Sequence, residues 1–507
     1  MATKTLTLAL ACAAALACGP ATHPEILVVV DGGSALSRAI GAYYCEQRGV
    51  PPSQLLELSL PGAPPEEGVR AAETIDRETF ERHVRDPIAS FLTEHGLIEE
   101  IEIIVTTKGV PLRVSGPTVP IGSSYLELTT AAAVDAELAL LFSGLDGSPG
   151  IEGMTNPYFD SDEPFRRFRR ENPDAPLRYL VARLDGYQEP VDPETGVPVD
   201  VKALIDRARG EFPESQDRIW LIDSDPEIPP GRGPGNTVML ASAAGALEAL
   251  EQKVFHARIP GFRGDLRNMV GYASWGSNDT HSARRPYYGE IDGHLIPGSF
   301  APRALAVDLV STNARSFLAP PEYGQSLTAD LVRLGVAGAA GNVYEPVLNT
   351  IARPRILLRN YARGVPAIEA YFRSVPYLGW MSVYVGDPLM QMERPSRALP
   401  NDRDGDGVPD AGDNCLAIPN PDQRDTDDDD FGNFCDGDFD GDGIVSTTWN
   451  TWPSGDLEEM TLRIKQQRYD PHYDLNGDGS VDANDSTLLM LSLFYPPGPS
   501  GRVTPDG

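Results

Sequence analysis

Residues 26–48 read ILVVVDGGSALSRAIGAYYCEQR. The run from Ile26 to Val30 has the length and β-branched composition of a buried strand, and Ser34 to Arg48 has the pattern of an amphipathic helix. The alternation continues with a strand, a helix and a strand at Leu55–Leu60, Arg77–His95 and Ile101–Thr106. Strands joined by helices pair in parallel, with the helices covering the sheet. This part of the chain therefore predicts an α/β fold.

Six later segments extend the strand pattern. They are Leu177–Arg183, Arg218–Asp223, Met269–Ala273, Leu305–Val310, Gly338–Tyr344 and Ser382–Val385. Residues 25–395 are therefore predicted to form a doubly wound domain with a mostly parallel sheet. About 370 residues is long for a single sheet, so two α/β halves that meet near residue 210 are an open alternative.

The amino terminus predicts export. Lys4 precedes an apolar run, Leu6–Ala17, that is too short to span a bilayer but suits a secretory signal. Ala15, Leu16, Ala17 and Cys18 resemble a bacterial lipoprotein cleavage box, which implies a signal peptide over 1–17, a lipidated Cys18 and a linker over 18–24. Ordinary cleavage with release, or lipidation of Cys12, are the alternatives. We expect an outer-membrane or cell-surface lipoprotein that contacts the membrane only through this anchor, or otherwise a secreted protein.

Charge is concentrated at the other end of the chain. The formal net charge is −32, and residues 401–507 contain 24 Asp and Glu against 6 Lys and Arg. Such a segment repels nucleic acid, and without counter-ions its carboxylates repel one another. Bound divalent cations remove that repulsion. The alternative is a disordered acidic tail.

Carboxylates recur at every second position in three Asp-Gly loops, which begin at Asp402, Asp438 and Asp474. Alternate oxygen ligands followed by a glycine at position 6 are typical of calcium loops. The sequence therefore predicts Ca²⁺ as the cofactor. The predicted ligands are Asp402, Asp404, Asp406, Asp410, Asp413, Asp425, Asp427, Asp429, Asp438, Asp440, Asp442, Asp456, Asp474, Asn476, Asp478, Asp482 and Asp485.

The cysteine positions agree with export. Of five cysteines, only Cys415 and Cys435 lie in the acidic region, and we expect them to form a disulfide. Cys45 lies in a helical pattern and is interpreted as a buried small hydrophobe.

Two resemblances divide the acidic region. Residues 402–436, DRDGDGVPDAGDNCLAIPNPDQRDTDDDDFGNFCD, resemble a thrombospondin type 3 repeat, which implies a module over 396–437 that wraps calcium with little apolar core. Residues 438–496 resemble a dockerin, a duplicated calcium loop and helix, and we expect 497–507 to be disordered. The dockerin resemblance implies a cohesin-like or other surface protein as the partner.

The two dockerin-like loops differ. In the second loop, Asp474 and Asp485 occupy positions 1 and 12. In the first loop, Trp449 falls at position 12, so an insertion of about seven residues must bulge out if Asp456 is to close the site.

Several segments of the large domain resemble an uncharacterised family of secreted bacterial proteins. They are TTKGVPLR at 106–113, ARLDGY at 182–187, GYASWGSND at 271–279, VYEP at 343–346 and VGDPL at 385–389. A more distant resemblance is to gingipain-type cysteine peptidases, which implies a caspase-like fold. In that comparison Trp275 stands where the catalytic His would be, and Ser311 is nearest to the Cys. An indole cannot accept a proton near neutral pH, so the peptidase dyad is missing.

Other polar residues of the large domain are candidates for a catalytic base or a ligand pocket. His281 or His294 could in principle serve Ser311 as a base. The candidate ligand pocket at the strand ends comprises Lys108, Asp185, Trp275, Asn278, Asp279, Asn313 and Glu345. Alternatively, Asp185, Asp279 and Asp387 cap turns while Lys108 and Glu345 form an ion pair.

These observations favour an exported calcium-binding surface protein whose large domain acts in binding or surface organisation. The alternative is an extracellular hydrolase of peptides or, by analogy with dockerin-bearing proteins, of polysaccharides, with Ser311 and His281 as its catalytic candidates.

Overall fold

The computed structural model describes most of the large domain and parts of the acidic region. The described residues are 23–61, 73–120, 127–144, 154–213, 217–224, 235–276, 286–321, 323–346, 348–392, 408, 410–416, 418, 420, 423–426, 429–439, 445–446, 455–466, 469–475, 480–492, 498 and 500. The predicted signal peptide and Cys18 lie outside them.

Strands and helices alternate through the large domain, and two helices lie in the acidic region. The strands are β1 (Ile26–Asp31), β2 (Leu55–Leu58), β3 (Thr74–Ile75), β4 (Ile103–Thr107), β5 (Arg113–Val114), β6 (Thr118–Pro120), β7 (Glu127–Thr129), β8 (Ala132–Ala133), β9 (Leu180–Leu184), β10 (Ile219–Ser224), β11 (Val254–Arg258), β12 (Leu266–Ser274), β13 (Gly289–Ile291), β14 (His294–Ile296), β15 (Gly298–Asp308), β16 (Gly338–Asn342) and β17 (Ser382–Gly386). The α-helices are α1 (Ala35–Arg48), α2 (Arg77–Phe80), α3 (Asp86–Glu94), α4 (Val134–Leu138), α5 (Phe165–Glu171), α6 (Val199–Arg207), α7 (Gly235–Ala249), α8 (Thr328–Arg333), α9 (Pro354–Ala362), α10 (Ala367–Ser374), α11 (Asp456–Gln466) and α12 (Ala483–Ser492).

Ten strands form one sheet, in the order β11-β10-β12-β15-β16-β17-β9-β4-β1-β2. Most neighbouring strands are parallel, as the sequence predicts. Strand β17 runs antiparallel to β16 over five residue pairs and meets β9 at the single pair Val385 and Arg183. The sheet therefore has the doubly wound, mostly parallel character expected, interrupted near its centre.

Nine of the ten strands of this sheet overlap the segments predicted from the sequence, although β15 begins seven residues before its predicted start. The tenth, β11, has the sequence VFHAR, whose polar His256 and Arg258 hide the strand pattern. Because β11 is at the edge of the sheet, its side chains alternate between exposed and covered positions.

Helices cover the sheet in two groups. Helix α6 contacts α1 and α8, whereas α9 contacts α7 and α10. Strand β9 is contacted both by α6 and by α10, so each group covers one face. Helix α1 shows why these residues form helices: the Ser34 side chain accepts a hydrogen bond from the Ser37 N–H at its start, and Gly49, at φ 65°, ends it.

The acidic region has a much smaller core. Five apolar residues are buried together there: Val445, Met460, Tyr473, Leu475 and Leu489. They pack between α11 and α12, which contact each other. Among the described residues, no helix is long and apolar enough to cross a membrane.

Candidate functional site

Lys108, one of the predicted pocket residues, lies immediately after β4 and is 2% exposed. Its Nζ lies 3.1 Å from Asp185 Oδ1, 2.8 Å from the Gly186 carbonyl oxygen and 2.9 Å from the Phe317 carbonyl oxygen. An ammonium group has three protons, and these acceptors use all of them. The ion pair predicted with Glu345 is wrong in its partner: Glu345 is exposed on the turn after β16, and Lys108 pairs with Asp185.

Arg183 and Asp135 form a second buried pair beside Lys108. The Arg183 guanidinium donates from Nε to Asp135 Oδ2 at 2.9 Å and from Nη2 to Oδ1 at 2.7 Å. It also donates to the carbonyl oxygens of Val110 and Pro111. Sequence reasoning missed Asp135, because this aspartate follows a two-residue strand that carries no periodic pattern.

Two of the three residues predicted to cap turns, Asp185 and Asp387, lie among the described residues, and both accept a backbone N–H. Asp185 Oδ1 accepts the Gly186 N–H at 2.9 Å, and Asp387 Oδ1 accepts the Leu389 N–H at 3.0 Å. Asp387 also forms a buried ion pair with Arg48 at the end of α1. Asn278, Asp279 and His281 lie outside the described residues.

Asp308, at the end of β15, is the centre of another buried polar cluster. Its carboxylate accepts hydrogen bonds from Tyr288 Oη at 2.9 Å, Ser326 Oγ at 3.0 Å and the Asn313 side-chain amide. Burial raises the pKa of Asp308 to about 6. The sequence predicted Asn313 but missed its partners, although Asp308 follows an apolar strand directly and could have been chosen on that ground.

Asn313 joins this cluster to the neighbouring strand. Its side-chain oxygen accepts the Asn342 N–H at 2.7 Å, and Asn342 in turn accepts a hydrogen bond from Ser382 Oγ at 2.9 Å. These hydrogen bonds link the ends of β15, β16 and β17 around Asn313, which is fully buried.

Trp275 and Ser311 are the residues that the sequence resemblance to cysteine peptidases aligns with the catalytic His and Cys. Trp275 is 4% exposed, and its ring stacks on Phe262 with 4.8 Å between the ring centroids. Ser311 is half-buried in the turn after β15, and its side chain makes no hydrogen bond to the described residues. His294, the second candidate base, contacts Asp265 at 2.6 Å in an exposed hairpin.

A serine and a histidine do meet at the sheet edge, where Ser224 Oγ lies 2.9 Å from His256 Nε2. The other ring nitrogen, Nδ1, lies 3.4 Å from an Arg258 guanidinium nitrogen. A guanidinium only donates, so Nδ1 accepts and the ring proton is on Nε2, which donates to the serine. Burial and then the Arg258 charge lower the pKa of His256. In this tautomer His256 donates to Ser224 and does not take its proton, which is the opposite polarity to that of a catalytic dyad.

In the acidic region, Cys415 and Cys435 form a disulfide with Cα atoms 5.7 Å apart. Asp413 lies two residues before Cys415, next to the loop that this bond closes, and is fully buried. Its Oδ1 accepts hydrogen bonds from the Cys415 N–H at 2.9 Å and from Gln423 Nε2 at 2.8 Å. The end of the chain contacts the same loop, because the Gly498 N–H donates to the Cys435 carbonyl oxygen at 3.0 Å.

Predicted ligands in the two dockerin-like loops are also buried. Asp456, Asp474 and Asp485 are 0% exposed, and Asp438 is 7% exposed. Asp410, Asp425, Asp429 and Asp482 are described and less buried. The remaining predicted ligands lie outside the described residues: Asp402, Asp404, Asp406, Asp427, Asp440, Asp442, Asn476 and Asp478.

The closing aspartates of the two loops occupy matching positions. Asp485 lies in the first turn of α12 and its Oδ2 accepts the N–H of Asp482, loop position 9, at 2.8 Å. Asp456 begins α11 and its Oδ2 accepts the N–H of Ser446, position 9 of the first loop, at 2.7 Å. Asp456 follows Ser446 by ten positions, whereas Asp485 follows Asp482 by three, so the first loop has seven extra residues and still returns its closing carboxylate to the same place.

Among the residues that the structure describes, no three His, Cys, Asp or Glu side chains are grouped closely enough to hold a metal ion. In comparisons with known proteins, no family model matches the chain and no curated protein matches it.

Proposed function

We propose that this chain is an exported protein whose acidic region folds around calcium and whose α/β domain binds a ligand or partner at the cell surface. The single observation that carries the proposal is the burial of four carboxylates, those of Asp413, Asp456, Asp474 and Asp485, in modules with only a small apolar core. Burying a carboxylate is costly unless a counter-charge compensates it, and Arg424 offers only a 3.5 Å contact to one of the four, Asp474. Oxygen-only donors on short loops suit a hard divalent cation.

The matched closing aspartates support two dockerin-like calcium sites. In each loop, position 1 (Asp438 or Asp474) and the closing residue (Asp456 or Asp485) are the described carboxylates that would hold the ion. Calcium there would neutralise the buried carboxylates and so stabilise the loop against unfolding. We expect affinities on the order of 10⁻⁴ to 10⁻³ M or somewhat tighter, as in extracellular modules.

Calorimetric calcium titration of the full chain tests this proposal. The expected result is calcium-dependent heat that Asp485→Asn reduces, with a circular dichroism change that EDTA reverses. The exposed Asp174 provides a matched control, because Asp174→Asn removes the same charge outside the acidic region. No calcium heat in the wild-type chain would reject the proposal.

The large domain is proposed to bind rather than to catalyse, because its described strand-end residues use their polar groups in contacts inside the protein. Lys108 pairs with Asp185, the Asn313 side-chain oxygen accepts the Asn342 N–H, and Trp275 is packed against Phe262. The caspase-like relationship remains part of this proposal and rests on the sequence segments.

The proposal predicts that the purified chain cleaves no peptide in a library, whether or not an alkylating reagent is present, and that Ser311→Ala changes nothing. Alkylation-sensitive cleavage would contradict it.

The lipid anchor is proposed from the sequence of residues 15–18 alone. If Cys18 carries lipid, Cys18→Ser should move the protein from the membrane fraction to the soluble fraction, because multiple acyl chains anchor far more strongly than one. An unchanged distribution would favour ordinary secretion.

A further inference from the structure

The two modules of the acidic region meet at a junction centred on Arg424. Its Nη2 donates to the Pro471 carbonyl oxygen at 3.1 Å and also to the Asp474 carbonyl oxygen. The Asn433 side-chain amide donates to the same Pro471 oxygen at 3.0 Å, and Thr426 Oγ1 does so at 3.4 Å. Three side chains of the thrombospondin-like module thus hold the entrance to the second dockerin-like loop.

This junction also includes the carboxylate of Asp474, the predicted position-1 ligand. Arg424 Nη1 lies 3.5 Å from Asp474 Oδ2, and Tyr469 Oη donates to that same oxygen at 3.2 Å. Partners that hold a ligating carboxylate from behind fix its orientation toward the metal. Arg424 and Tyr469 are placed to act on Asp474 in this way.

Arg424 is itself held by the disulfide-closed loop. Its carbonyl oxygen accepts the Asn433 N–H at 2.9 Å. The preceding residue, Gln423, accepts the Asn414 N–H on its Oε1 at 2.8 Å, next to Cys415. The Arg424 backbone is therefore held in one module while its guanidinium contacts the other.

We propose that Arg424 is a positioning residue that joins the two modules and orients Asp474 as the first ligand of the second calcium loop. This inference rests on the proposed calcium binding. A cation near a calcium ligand also repels calcium. However, the closer contacts of the guanidinium are to two carbonyl oxygens, and its carboxylate contact is the longest of the three. Positioning should therefore outweigh repulsion.

The test uses the full chain and a calcium titration followed by hydrogen exchange in the peptide covering 480–492, which reports on the second loop. Arg424→Ala should weaken calcium binding there by about tenfold, the lower end of the usual effect of losing such a partner. Arg424→Lys should recover only part of this, because an ammonium lacks the planar fork that spans two carbonyls. Lys465→Ala is the control, since it removes one exposed positive charge from the acidic region, on α11 and away from the Arg424 contacts, and should change nothing.

A second arm of the experiment does not depend on calcium. In EDTA, Arg424→Ala should speed exchange in residues 469–475, and Lys465→Ala should not. If the wild-type chain shows no calcium response, the proposed function fails, and unchanged exchange in EDTA would then overturn the junction as well. Tighter calcium binding in Arg424→Ala would overturn the positioning role, because it would mean that Arg424 acts as a competing counter-ion.

Discussion

At the scale of single residues, the large domain is notable for charged groups that are buried and fully engaged. Lys108 and Arg183 lie at the ends of adjacent strands, and each pairs with a buried aspartate while donating to backbone carbonyl oxygens. Buried pairs of this kind are costly to break, because removal of one partner leaves the other charge uncompensated.

Lys108→Met should therefore lower the free energy of unfolding of the large domain by about 3 to 5 kcal/mol. The half-exposed pair of Lys202 and Asp206 offers a comparison, since Lys202→Met should cost less than about 1 kcal/mol. Denaturant unfolding followed by tryptophan fluorescence in calcium-containing buffer measures both. Equal losses in the free energy of unfolding would show that the buried contacts of Lys108 stabilise the domain no more than an exposed ion pair does.

Asp308 should make stability depend on pH. Its pKa is raised from 3.8 to about 6 in the folded chain, so between these values the folded state binds more protons than the unfolded state. Its contribution therefore lowers the free energy of unfolding as pH rises through this window. Asp308→Asn should remove that loss, by about 1 to 3 kcal/mol between pH 4 and pH 6.5. Unfolding curves at several pH values test this, and an unchanged slope would contradict it.

At the scale of elements, the strand pattern of the chain predicts the sheet well because buried parallel strands are continuous apolar runs. Strand β11 was missed because an edge strand carries polar residues such as His256 and Arg258. The reversal of strand direction between β16 and β17, which runs parallel to β9, was also missed, since strand direction depends on how α9 and α10 return the chain. Contacts between distant segments, such as Asp308 with Tyr288 and Ser326, leave no local pattern in the sequence.

The first dockerin-like loop is the element that departs most from its pattern, yet Asp456 takes the same place as Asp485. Asp456→Ala should therefore abolish calcium binding at the first loop and lower the helicity of α11, whose first turn it forms. Trp449→Asp, which restores a carboxylate at position 12 by counting, should not rescue the variant. Calcium titration with circular dichroism decides, and rescue would show that the insertion does not bulge out.

At the scale of the whole molecule, the large domain and the acidic region are stabilised by different physics. Within the described residues, the former buries an extensive apolar core, whereas the latter buries one cluster of five apolar residues, a disulfide and several carboxylates. EDTA should therefore unfold the acidic region and leave the α/β domain folded. Reduction of the disulfide should add to the effect of EDTA, since a crosslink over twenty residues contributes about 3 kcal/mol. Differential scanning calorimetry should then show one calcium-sensitive and one calcium-insensitive transition.

Equilibrium dialysis of the full chain against radioactive calcium at about 1 mM, near the upper limit of the expected dissociation constants, tests the central claim most directly. The account predicts more than one bound calcium ion per chain, with fewer when Asp456 and Asp485 are both replaced by asparagine. A wild-type chain that binds none, while its circular dichroism is the same in calcium and in EDTA, would contradict it.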